Sequence, residues 1–205
     1  MLKHFLKYWL PLLLLNIAFL SLVISLDLHY LYRENALLEN LQALFLILST
    51  ITYLWLSSYC SGQVRLGWIA VSLLCFSFIT REVDLELLPL FESIGFLFHG
   101  AGRTILLLTL WAIFARMVFT QGGFKGCIAS IFHSKYIQYL VLSFLFLVAG
   151  AIFDREFFVL DYGKLFEELV ETNAYLFLLL PSLYELYIKR RYGLILADNL
   201  NPESD

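Results

Sequence analysis

Apolar residues along this chain gather into six long stretches, at about 9–26, 40–60, 66–80, 104–121, 136–153 and 165–188. Each approaches the roughly 20 residues that an α-helix needs to cross the hydrocarbon of a bilayer, where a helix satisfies its own backbone polar groups. The pattern therefore predicts an all-α polytopic transmembrane bundle of about six spans. Connections between the stretches are short, and there is no internal repeat and no soluble domain. Residues 1–196 read as one transmembrane domain, and 197–205 as a polar, disordered tail. Lys3, His4 and Lys7 before the first stretch imitate a secretory signal, but the long apolar run and the absence of a small-x-small site in Leu26-Asp27-Leu28-His29-Tyr30 favour an uncleaved anchor.

Composition agrees with the pattern, because 60% hydrophobic and 15% charged residues cannot form an ordinary water-soluble surface. Charge adds an orientation. With six spans both termini share a side, which would hold Lys3, Lys7, Arg65, Arg116, Lys125, Lys135, Lys189, Arg190 and Arg191; Arg33, Arg81, Arg103, Arg155 and Lys164 fall on the other. The positive-inside rule then makes the termini cytoplasmic. The acids divide the opposite way, thirteen of the seventeen flanking the three outer loops. Carboxylates contribute little to insertion, so insertion does not explain this bias.

Depth turns the bias into a candidate site. Counting about 20 residues back from the basic stop Lys189-Arg190-Arg191 places Glu171 inside the apolar slab, with Glu167 and Glu168 at its edge. The same count outward from Arg65 brings Arg81, Glu82 and Asp84 to that level, and from Cys60 it brings Gln42 and Glu39. Helical spacing sets Glu167, Glu171 and Tyr175 on one stripe, and Glu39 and Gln42 on one face. Intramembrane carboxylates are functional-site hypotheses by default, and Glu171, Glu168, Glu82 and Asp84 are the expected catalytic groups. Arg81 alternatively pairs with Glu82, Asp84 or Glu171 and so makes their burial tolerable.

Before the fourth stretch, Phe98-His99-Gly100-Ala101-Gly102-Arg103 offers a tight turn at a helix N-terminus. Free N–H groups there, with Arg81, His99, Gly100 and Arg103, suit an anion such as a phosphate, although a turn with a boundary arginine explains the motif as well. Glu39, Glu168, Glu171, Asp84 and His99 form a candidate metal set, whose oxygen-rich character favours Mg, Mn or Ca over thiolate-bound Zn. Other chemistry is excluded. Cys60, Cys75 and Cys127 make no disulfide framework and no Cys-x-x-Cys pair, and the chain has no HExxH, P-loop or Gly-x-Ser-x-Gly motif. A net charge of −3 without a basic stripe argues against nucleic acid as a partner.

The set Glu34…Glu39-Asn-Leu-Gln42, Arg81-Glu-Val-Asp84, Phe98-His-Gly100 and Glu167-Glu168-x-x-Glu171…Tyr175 resembles a group of small uncharacterised bacterial inner-membrane proteins. The resemblance implies a bacterial inner-membrane location and no particular activity. Intramembrane hydrolases that include the alkaline ceramidases need a late-helix His-x-x-x-His, and phospholipid-head-group transferases an Asp-Gly-x-x-Ala-Arg opening; neither is present.

Two functional classes are consistent with these residues. In one, the acidic groups serve a periplasm-facing enzyme, dependent on a metal or a proton, that acts on a lipid or lipid-linked anionic substrate. In the other they line a small cation or proton transporter, or fix helix register in a structural or assembly protein that meets a membrane-protein partner or a second copy of itself. Sparse, uncharged inner-half residues such as Asn16, Ser49, Thr52, Ser72 and Ser143 favour a one-sided site over a through-path.

Overall fold

The computed structural model describes residues 2–31, 37–82, 95–97, 99–121, 123–132, 137–154 and 162–200. Among them the regular structure is entirely helical. Seven α-helices follow in order: α1 (Leu2–Ser25), α2 (Leu37–Ser58), α3 (Gly62–Glu82), α4 (Gly100–Thr120), α5 (Phe124–Phe132), α6 (Ile137–Asp154) and α7 (Gly163–Leu200), with single 3₁₀ turns at His29–Leu31 and Gly95–Leu97. A helix covers each of the six apolar stretches. Three of them, Leu37–Ser58, Gly62–Glu82 and Gly100–Thr120, are long and apolar enough to cross a membrane.

Two features depart from the sequence expectation. The connection after the fourth stretch contains α5, which at nine residues rises only about 14 Å and cannot span. Its entry is a tight reversal in which Gly123 donates its N–H to the Val118 carbonyl at 2.9 Å with φ of +84°, a conformation that glycine alone adopts without strain. The second departure is α7. Its 38 residues run well beyond the stretch at 165–188 and rise about 57 Å, nearly twice the hydrocarbon thickness.

Helix α7 packs against α2 and α6, and α2 against α3. The largest buried cluster joins Leu46, Tyr53 and Leu56 of α2, Val71 and Cys75 of α3, and Tyr175 and Leu178 of α7. Within a membrane, hydrophobicity does not drive helices together, so packing and interhelical hydrogen bonds must do so. Two of those bonds flank Pro181 of α7. Pro181 has no N–H to give back to the preceding turn, and beside it Tyr53 donates its hydroxyl to the Leu178 carbonyl at 2.8 Å. The Thr52 and Ser182 hydroxyls lie 2.7 Å apart across the same contact. On the other side, Asn16 of α1 and Asn173 of α7 exchange amide hydrogen bonds of 3.1 and 2.8 Å.

Candidate functional site

Helices α3 and α7 bring three of the expected site residues into one network. Arg81, in the last turn of α3, donates to Glu171 Oε1 of α7 at 2.7 Å and, through Nε, to Glu82 Oε1 at 2.8 Å. Tyr175, one turn beyond Glu171, donates its hydroxyl to the same Glu82 oxygen at 2.8 Å. Glu171 and Glu82 are almost fully enclosed, whereas the arginine side chain is 51% exposed. One guanidinium thus neutralises two enclosed carboxylates while its outer edge stays open. The pairing of Arg81 with Glu82 and Glu171 weighed from the sequence is the one formed. Asp84, its third possible partner, lies outside the described residues.

Helix α6 makes room for this network. A β-carbon at Gly150 would sit 2.9 Å from Glu171 Cγ and 3.4 Å from its Oε1, closer than side-chain atoms pack. Gly150 therefore acts as a hollow into which the Glu171 arm fits. The sequence reading missed it, since nothing in an apolar stretch marks a glycine as facing a particular residue of another helix.

Glu168 is held differently. It is 6% exposed, and Gln42 of α2, completely buried, donates Nε2 to Glu168 Oε2 at 2.8 Å. The same amide nitrogen lies 3.1 Å from the Glu168 carbonyl and 3.3 Å from Thr172 Oγ1, while the amide oxygen of Gln42 is buried without a hydrogen-bond partner. Among the described residues no Lys or Arg forms a salt bridge with Glu168. Glu39, Glu167 and Glu171 lie within electrostatic range of it. The site thus has two parts: an arginine-neutralised pair, and beside it an enclosed carboxylate held by a neutral amide.

Of the residues expected to bind an anion, His99, Gly100 and Arg103 lie at the start of α4. His99 is exposed and extended at the N-terminus of α4 and makes no side-chain capping bond, and Gly100 adopts a positive φ of +50° as the helix begins. Arg103 donates to the Thr80 carbonyl at 3.1 Å, which satisfies an orphan acceptor in the last turn of α3. Its part in tying α4 to α3 was not legible in the sequence. As for metal binding, no group of three or more His, Cys, Asp or Glu side chains among the described residues is gathered so as to hold an ion.

Several of the polar groups further along α2 and α3 are spent on hydrogen bonds within and between helices, whereas Ser143 Oγ of α6 is buried without a hydrogen-bond partner. Ser49 donates to the Phe45 carbonyl and Ser72 to the Thr50 carbonyl, while Ser77 donates to Leu73 and accepts from Trp111. No family model, no curated protein and no solved structure matches this chain.

Proposed function

We propose that this chain is a multi-pass bacterial inner-membrane protein with six spans and cytoplasmic termini, working through a one-sided acidic site at its periplasmic face. Its reaction is a proton-dependent conversion of a lipid or lipid-linked anionic substrate. Glu168 is the proton-exchanging group, and Glu82, Glu171 and Arg81 form the framework beside it, the open edge of Arg81 facing the anionic part of the substrate. The observation that carries this reading is the contrast in partners. Both oxygens that Arg81 engages are committed to a charge-compensated network, whereas Glu168 is enclosed beside other carboxylates with a neutral amide as its hydrogen-bond donor. A carboxylate so placed is suited to general acid–base work. The donors near Glu168 favour a proton over a divalent cation as the species handled.

The test compares the lipids of cells expressing the wild-type chain or Glu168→Gln, with elemental analysis of both purified proteins. A lipid or lipid-linked species altered by wild type and not by Glu168→Gln, at equal protein level and equal melting temperature, is the expected result. A stoichiometric divalent metal lost in the variant would replace the proton with a metal ion. Unchanged lipids together with a large loss of stability would favour the second reading, a structural or assembly protein, which the closed Arg81 network supports.

A further inference from the structure

The end of the bundle opposite the acidic site carries a surface of another kind. Helix α5 is fixed from beneath: Cys127 is buried among Leu66 of α3 and Phe114 and Val118 of α4. Gly126 lies so close to Gln63 that a β-carbon there would come within 2.8 Å of that side chain, and Gln63 in turn donates to the Gln121 carbonyl at 2.6 Å. The opposite face of α5 is open. Phe124, Ile128 and Phe132 recur every four residues along it and are 46%, 47% and 64% exposed. This stripe joins the outward face of α4, where Phe119 is 71% exposed and meets the Phe124 ring edge-on at 5.8 Å between centroids.

Exposed basic residues lie beside it. Lys125 is exposed on the rim of the stripe, and Arg65 in the first turn of α3 and Arg116 in the last turns of α4 are exposed at the same end. A short helix with an apolar outward face, a basic rim and a membrane-facing neighbour has the chemistry of a segment lying in the bilayer interface, where apolar side chains enter the acyl boundary and basic ones meet headgroup phosphates.

We propose that α5 is an interfacial helix that binds anionic phospholipid headgroups of the leaflet at this end, with Phe124, Ile128 and Phe132 inserted and Lys125 and Arg116 on the phosphates. The assignment is independent of the acidic site. Each basic residue near such a surface contributes on the order of 1 kcal/mol, about fivefold in occupancy, so two of them amount to roughly a twenty-fivefold preference before competition from bulk lipid.

The experiment is native mass spectrometry of the full chain released from nanodiscs of mixed phosphatidylglycerol and phosphatidylcholine. Wild type should retain phosphatidylglycerol several-fold above its share of the mixture. Lys125→Glu with Arg116→Glu should bring retention to that share, and Glu185→Gln at the same end should leave it unchanged. These are exposed or half-exposed positions, and an unaltered melting temperature establishes that the variants fold. Enrichment that survives the double charge reversal overturns the proposal, as does wild-type retention no greater than the share. Disulfide cross-linking of Phe132→Cys between two copies in the bilayer also overturns it, since a second chain would then cover the stripe.

Discussion

Glu171 is constrained from two directions, by the guanidinium of Arg81 on α3 and by the absence of a side chain at Gly150 on α6. The two constraints respond differently to substitution. Gly150→Ala forces its methyl into the space of Glu171 Cγ, an overpacking expected to cost about 1–3 kcal/mol. If the clash is with that arm, adding Glu171→Ala should recover part of the loss, and a double-mutant cycle of thermal stability in detergent measures the coupling. Additive costs would mean that Gly150 serves helix packing in general and not this carboxylate. Arg81→Ala removes this guanidinium from beside two enclosed carboxylates. Breaking a fully buried pair costs about 3–5 kcal/mol, but Arg81 is half exposed and solvent screens it, so about 1–2 kcal/mol is expected. Arg81→Lys should fall between, because an ammonium is a point charge without the planar fork that spans Glu82 and Glu171.

Helices meet through a few polar pairs embedded in long apolar faces. The Asn16–Asn173 exchange joins α1 to α7, and each asparagine also donates to a carbonyl four residues earlier in its own helix, Leu12 and Leu169. Removing one amide therefore does not orphan the other entirely. Asn16→Leu is expected to cost about 0.6 kcal/mol and no more than about 1.7, the span found for hydrogen bonds between membrane helices, and Asn16→Leu with Asn173→Leu should be close to neutral. Reversible unfolding in bicelles checks both; a loss well above that range would give the pair a larger part than joining two helices.

Such pairs explain what the sequence could and could not disclose. Every long apolar stretch carries a helix because length and hydropathy are local properties. Glu171 and Tyr175 were placed on one stripe, and Arg81 beside Glu82 and Glu171, by helical spacing and depth alone. The choice of Gln42 as the donor to Glu168, 126 positions away, depends on how α2 and α7 rotate against each other, which no local pattern encodes. Helix α5 escaped for a different reason: nine residues make too short a run to separate from a connection by hydropathy.

At the scale of the whole molecule, α7 organises the bundle, bonded to α1 through Asn173, to α2 through Glu168, Leu178 and Ser182, and to α3 through Glu171 and Tyr175. Its two ends differ in charge. Toward Gly163 lie Glu167, Glu168 and Glu171 with Glu39 and Glu82, and toward the other end Lys189 donates to Cys60 Sγ at 2.7 Å, near Arg65 at the start of α3. Translocating clustered Lys and Arg is unfavourable whereas carboxylates are tolerated on either side, so the basic end should stay cytoplasmic. Single cysteines placed at the exposed positions His99, Lys164, Arg65 and Lys125, with Cys60, Cys75 and Cys127 changed to alanine, turn this into a labelling pattern. His99→Cys and Lys164→Cys should react with a membrane-impermeant maleimide on intact cells, and Arg65→Cys and Lys125→Cys only after permeabilisation. A reversed pattern would put the acidic site on the cytoplasmic side and remove the case for a periplasmic substrate. Reaction of Arg65→Cys and His99→Cys from the same side would mean that α3 does not cross the bilayer, and the depth argument that draws Arg81 and Glu82 into the apolar slab would fall with it.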